Sequence, residues 1–182
     1  VVWADEVTEG RILFTRINIQ TSTIVQSSIY IMNADGSEKT NLTVGIEGLN
    51  GAASWSPDGS QIVFVSDRDG NGWQIFTMDV DGNQATRLTD GSGEDFFPQW
   101  SPDGKHIAYI ANFNSGPSIR LMNADGSNDR ELTSGNWPSW TPDGRRLLIT
   151  VGADWTKGHL AMIDVETKTI TDTNCYNPKD RE

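Results

Sequence analysis

An all-β fold, a β-propeller of four-stranded antiparallel blades with four repeats in this chain, is predicted by three phrases that recur in step. The first is Trp55-Ser56-Pro57-Asp58-Gly59. It returns as Trp100-Ser101-Pro102-Asp103-Gly104 and as Trp140-Thr141-Pro142-Asp143-Gly144, at intervals of 45 and 40 residues. The second is Ile29-Tyr30-Ile31-Met32-Asn33-Ala34-Asp35-Gly36, repeated from Ile75 to Gly82 and from Ile119 to Gly126, with a degenerate copy from Leu160 to Thr167. The third closes each unit as Leu42-Thr43, Leu88-Thr89 and Leu132-Thr133. A period of about 40–50 residues marks an array or a propeller, because one such unit cannot bury its own faces. No helical periodicity of any length competes.

The second unit shows the plan. Ala52–Trp55 is a short strand ending in a turn, in which Pro57 presets φ, Asp58 bonds backbone amides and Gly59 accepts positive φ. Gln61–Ser66 is nearly continuous in β-branched and aromatic residues, the pattern of a strand covered on both faces. Asp67–Gly72 is a turn cluster, Trp73–Met78 a third strand, Asp81-Gly82 a hairpin turn and Ala85–Thr89 a fourth strand. Four such strands make one blade. The predicted blades are about 1–43, 52–89, 97–133 and 137–173, so that the propeller spans 1–173 and 174–182 is a tail. In the first blade Trp3 stands nine residues before Ile12, against seven from Trp55, Trp100 and Trp140 to Ile62, Ile107 and Leu147. A two-residue insertion within 4–10 reconciles them. Arg11–Thr15 is then its second strand, and Ile17 to Ser28 is expected as a longer loop.

These phrases resemble the TolB-type, WD-like β-propeller repeat, and the likeness runs over residues 1–173. The first unit lacks the Pro-Asp-Gly turn and the fourth has Glu166-Thr167 for Asp-Gly, as terminal repeats are expected to differ. The resemblance implies bacterial, periplasmic or secreted proteins that serve as scaffolds for protein partners, as accessory domains of peptidases, or as carbohydrate-active propellers. It also implies rings of six or seven blades. Four blades therefore leave three arrangements open: a closed small ring, part of a larger ring, or a homodimer pairing two halves into eight blades. The homodimer is favoured, with Ile12, Phe14, Leu147 and Ile149 expected on the outer faces and the segment 174–178 near the junction.

The net charge of −11 argues against nucleic acid and anionic membrane surfaces, both of which call for clustered Lys and Arg. With Cys175 as the lone cysteine, no disulfide framework or zinc pattern forms. No run of about 18 apolar residues spans a bilayer. The chain opens on Val1 with no leader-like stretch, as expected of a processed or trimmed chain.

Catalytic signals are sparse. His106 and His159 stand far apart in the repeat and give neither a triad nor a metal site. Asp67, Asp69 and Asn71 imitate half a calcium loop, but the closing glutamate is missing and a β-turn needs the same residues. No cofactor or metal is expected. The loops from each fourth strand to the next innermost strand gather at the channel mouth of a propeller. They bring Glu47 and Asn50, Glu94 and Asp95, and Asn136 and Trp137 to one end, as candidate ligand residues of a shallow acidic, aromatic-lined mouth. A non-enzymatic binding or scaffold module for a protein or small ligand is the reading the sequence favours. The alternatives are a carbohydrate-processing or carbohydrate-recognising propeller, which needs two carboxylates facing one pocket, and a self-assembling structural unit.

Overall fold

A computed structural model of the chain describes residues 2–8, 10–20, 23–90, 93–113, 116–152 and 158–173. Its strands form four antiparallel sheets, each a simple up-and-down meander. The first blade holds β1 (Val2–Thr8), β2 (Arg11–Gln20), β3 (Thr23–Asn33) and β4 (Thr40–Asn41). The second holds β5 (Asn50–Trp55), β6 (Gln61–Ser66), β7 (Gln74–Asp79) and β8 (Thr86–Arg87). The third holds β9 (Phe96–Trp100), β10 (His106–Ala111), β11 (Ser118–Asn123) and β12 (Arg130–Ser134). The fourth holds β13 (Asn136–Trp140), β14 (Arg146–Val151), β15 (His159–Asp164) and β16 (Ile170–Asp172). Among the described residues no helix is long and apolar enough to cross a membrane.

The recurring turn has a chemical reason for each of its letters. Ser56 Oγ donates to Asp58 Oδ1 at 2.6 Å and accepts from the Gln61 N–H at 2.9 Å. Ser101 does the same with Asp103 and the His106 N–H, and Thr141 with Asp143 and the Arg146 N–H. A hydroxyl that both gives and accepts is what Ser and Thr share, so either serves. The Asp carboxylate also takes the N–H of Ser60, Lys105 or Arg145. These hydrogen bonds favour the charged form: Asp58 is held down at about 2, chiefly by the Ser56 hydroxyl, and Asp103 and Asp143 lie below the ordinary range for the same reason. The third-to-fourth-strand hairpins repeat the device. Asp35 takes the N–H and hydroxyl of Ser37, and Asp125 those of Ser127.

The core consists of three seams between neighbouring blades. Leu13, Ile29 and Ile31 of the first blade meet Trp55, Ile62, Phe64 and Met78 of the second. Val63, Val65 and Ile75 meet Trp100, Ile107 and Tyr109 of the third. Ala108, Ile110 and Leu121 meet Leu147, Ile149 and Ile163 of the fourth. Strand β6 supplies both of its faces to seams, which is why it reads as unbroken apolar sequence. Each repeat tryptophan ends an innermost strand at a seam. Trp55 lies under the Arg11 guanidinium, 5.0 Å from the ring centroid, and Trp140 donates Nε1 to the Gln99 carbonyl across the third seam at 3.2 Å. Hairpin glycines sit on the neighbouring blade as well. A Cβ at Gly82 would strike the Leu42 carbonyl and one at Gly126 would press on Leu88, whereas Gly36 has open space around it.

Four blades with three seams leave the arc open among the described residues: the first and fourth blades do not pack on each other as their neighbours do. One expectation about these ends is corrected. Leu147 and Ile149 lie fully buried in the third seam, because the alternation along β14 turns them toward the third blade. Phe14, by contrast, lies on the side of β2 opposite the seam residue Leu13, covered by its own blade, stacked on Tyr30 at 5.5 Å with the Lys39 ammonium 5.9 Å from its ring centroid. The stretch from Ile17 to Ser28 is also not a loop. It extends the β2–β3 hairpin, pairing Ile17 with Ser27 and Asn18 with Gln26. Branched residues alternate with polar ones there at period two, and such a pattern zips into strands. The tail 174–182 lies outside the described residues.

Two measurements check these forces. Trp100→Ala, which empties a residue only 7% exposed from the second seam, is expected to cost about 3–5 kcal/mol. An unchanged denaturant midpoint would contradict a core role. The turn aspartates have folded-state pKa values below their unfolded ones, so their contribution is present above about pH 4 and is lost as pH falls toward 2. Asp58→Ala therefore lowers Tm at neutral pH, and its gap to the parent protein narrows on acidification. A gap constant with pH would show that the carboxylate charge plays no part.

Candidate functional site

A cavity of about 490 Å³ opens where the first three blades meet at the mouth. Ile17 and Ile24 of the long β2–β3 hairpin form one wall; Leu49, Trp73, Phe96 and Phe97 form much of the rest. This volume lies within the range of small-ligand and side-chain pockets, about 300–1,000 Å³. Among the described residues no Asp or Glu lines it.

The backbone aims the aromatic wall. The innermost strands β5, β9 and β13 each carry a register shift against their neighbour. At each shift one residue other than glycine takes positive φ: Ala52 at 47°, Phe97 at 53° and Trp137 at 54°. All three stand three residues before the repeat tryptophan. A bulge of this kind turns a side chain away from the regular pleat, and a bulky residue in that backbone region carries strain. The result is an aromatic chain across the mouth. Trp73 and Phe96 centroids are 5.3 Å apart, Phe96 and Phe113 5.3 Å, and Phe97 and Trp137 4.5 Å. Trp137 remains 45% exposed.

The six sequence-predicted residues have separate fates. Asn50 lines the cavity but is almost wholly buried and hydrogen-bonded. Its N–H donates to Ser27 Oγ at 2.9 Å, and its Oδ1 accepts from Ser66 Oγ at 2.8 Å and from the Arg68 guanidinium at 2.9 Å. Arg68 in turn lies over Phe64 and Phe76. Trp137 packs on the cavity residue Phe97. Glu47 is exposed on its loop, and Glu94, whose carbonyl accepts the Phe113 N–H at 3.1 Å, is half-buried outside the lining. Asn136 opens β13 half-buried, with its Oδ1 buried and lacking a hydrogen-bond partner among the described residues. Asp95 lies beneath the wall, 6% exposed, with its N–H on the Trp73 carbonyl at 2.9 Å. Burial pushes its carboxyl up to about 6. The Thr89 hydroxyl opposes this, the Asp129 and Asp90 charges reinforce it, and Arg120 opposes it again. The hollow at the mouth is therefore lined by aromatic and aliphatic side chains, with no carboxylate entering it among the described residues.

Trp73, Phe96, Phe97, Ile17 and Ile24 escaped sequence reasoning as site residues. The available signal was Phe97 and Trp137 at the repeat slot that Ala52 fills in the second blade. The half-loop at 67–71 is a turn whose acids face different partners: Asp67 takes the Leu49 N–H, and Asp69 pairs with Arg87 at 3.3 Å. His159 lies 3.7 Å from Asp172 at the edge of the fourth blade, away from His106 on β10.

Comparison with known proteins places this geometry among relatives. The profile of the TolB beta propeller domain matches residues 15–179. The uncharacterized protein Atu1656 of Agrobacterium fabrum is 37% identical over 131 residues, covering 64% of this chain and 44% of that protein. The Tol-Pal system protein TolB of Alcanivorax borkumensis is 35% identical over 117 residues, covering 60% and 26%. The chain thus spans less than half the length of these curated relatives. The crystal structure of TolB from Acinetobacter baumannii superposes with a TM-score of 0.71 at 22% identity, over 90% of this chain and 40% of that one.

Proposed function

The chain belongs to the TolB β-propeller domain family, and from that premise we propose that it is a non-enzymatic binding module whose mouth holds an apolar anchor of a protein partner. The observation that carries this reading is the row of bulged positions. Three strained backbone sites stand in register at the mouth, and two present large aromatic rings beside an apolar hollow. Backbone strain of this kind clusters at binding sites, and here Ala52 and Phe97 hold it while also packing on the second and third seams. Aromatic residues in a partly open pocket are the side chains that dominate protein recognition. The carbohydrate-processing alternative needs two carboxylates about 5–10 Å apart across one pocket, and among the described residues the cavity wall offers none. We place the module in the periplasm or at the cell exterior, a reading its membership of the TolB β-propeller family supports. Peptides selected by display against the chain are expected to share an aromatic or aliphatic anchor and to lose about tenfold or more in affinity to Phe97→Asp. Selected peptides with only charged consensus residues, or indifferent to Phe97→Asp, would reject the reading.

A second reading, self-association, is favoured by the outer face of the fourth blade. Leu147, Ile149, Ala161 and Ile163 face the third blade, so Leu148, Leu160 and Met162 turn the other way. Leu160 is 40% exposed there. We expect light scattering at micromolar concentration to give twice the 20.0 kDa chain mass, and Leu160→Asp to halve it. A monomer in the parent protein would refute the pairing.

A further inference from the structure

The β2–β3 hairpin outgrows its counterparts. β2 has ten residues and β3 eleven, whereas β6, β7, β10, β11, β14 and β15 have six each. The excess forms an arm beside the mouth. Its two strands pair Ile17 with Ser27, Asn18 with Gln26, Ile19 with Ile24 and Gln20 with Thr23. Between the second and third of these pairs Val25 is the extra residue, so the bulge falls on β3 and β2 keeps its regular alternation. Ile17 and Ile19 therefore share one face of β2. Ile17 and Ile24 line the hollow, and Ile19, across from Ile24, continues the same face beyond its rim. Ile19 is 48% exposed and Ile24 45%. An apolar strip thus runs from the hollow out along the arm.

The arm's two edges differ. On the β3 side Leu49 bridges to Ser27, and the Asn50 N–H donates to Ser27 Oγ. On the β2 side β1 pairs as far as Arg16, opposite Val2, whereas β3 accompanies β2 to Gln20. Among the described residues Asn18, Ile19 and Gln20 thus have a strand on one side alone. Proteins guard an edge of this kind with charged side chains or proline. From Ile17 to Ser28 the sequence has neither, although 21% of the chain is charged. The lining of the hollow is likewise without Asp, Glu, Lys or Arg among the described residues.

We propose that the arm takes a strand from a partner protein onto β2: an extended, uncharged segment with an aromatic residue in the hollow and an aliphatic residue two positions on, beside Ile19. This rests on the mouth being the binding site. The spacing follows from the pleat. Alternate residues of an added strand stand on the face that Ile17 and Ile19 share, about 6.5–7 Å apart, the same interval as the two isoleucines. Main-chain hydrogen bonds along Asn18, Ile19 and Gln20 hold the segment, and the hollow selects its side chain. A wall of Trp73, Phe96 and Phe97 around about 490 Å³ suits an aromatic anchor. The arm's own apolar residues are isoleucines and one valine, so the arm of a second copy does not supply that anchor.

Random linear peptides displayed on phage and selected against the parent chain are the probe. The expected consensus is an uncharged stretch with an aromatic and an aliphatic residue separated by a single position. Ile19→Lys, at a half-exposed site outside the lining, is expected to weaken binding of the synthetic consensus peptide about fivefold or more and to leave Tm unchanged. Moving an N-methyl group along the peptide backbone tests the strand itself. Methylation at alternate residues is expected to abolish binding, and methylation at the residues between them to have little effect. Apolar contact alone gives no such alternation. Peptides that need Phe97 but tolerate Ile19→Lys, or whose N-methylation shows no alternation, overturn the added strand and leave the mouth reading intact. Peptides that tolerate Phe97→Asp, or a selection that enriches nothing, strike at the mouth reading and take this proposal with it. A peptide-free chain whose mass in solution falls on Ile19→Lys also overturns the proposal, because a second copy then fills the edge.

Discussion

Everything in this fold depends on burying two faces of every sheet. A four-stranded blade about 40 residues long has no interior of its own, so its apolar residues find cover only on a neighbour. The first two seams meet that demand with the same set of parts: an innermost strand ending in tryptophan, a doubly apolar second strand, and a hairpin glycine laid on the preceding blade. The turns do the complementary work. Their Ser or Thr hydroxyls and Asp carboxylates satisfy backbone N–H groups where strands reverse, so that strand ends need no further partners. Repetition of the phrases is repetition of these two tasks.

That explains which features the sequence made legible. Trp55, Ser56, Asp58 and Gly82 each serve a role that every interior blade shares, so their recurrence reads directly as architecture. Ile17 to Ser28 misled because it has no counterpart in the other units and was compared with turns, although its alternation is that of strands. The outward residues of the fourth blade were misassigned by one position. With a side-chain period of two, a shift from Leu148 to Leu147 exchanges the exposed face for the buried one.

The site was half legible for a related reason. Topology alone brings the loops between blades to one mouth, and that logic named Asn50, which lines the hollow, with Asp95 and Trp137 beside it. It could not tell which side chains enter the hollow, because the bulges at Ala52, Phe97 and Trp137 decide that, and a bulge leaves no mark in hydrophobic periodicity. Counting acids suggested an acidic mouth. Glu47 stays in solvent and Asp95 goes beneath the wall, since a charged side chain has no reason to face a hollow ringed by Phe and Trp.

In a repeat protein, differences between equivalent slots carry more functional information than the consensus does. The consensus is set by the seams and turns, which every blade needs. Asn50 and Asp95 share a slot and a burial requirement, yet one is a neutral amide with matched partners and the other an acid whose partners have been replaced by Ala111 and Phe113. Ala52, Phe97 and Trp137 share a strained backbone, yet only two of them use it to present a ring. Both departures fall at the same end of the molecule, around one cavity, where Phe97 also packs on the third seam. The shared geometry supplies a rigid frame, and the substitutions within it make one mouth out of otherwise interchangeable blades.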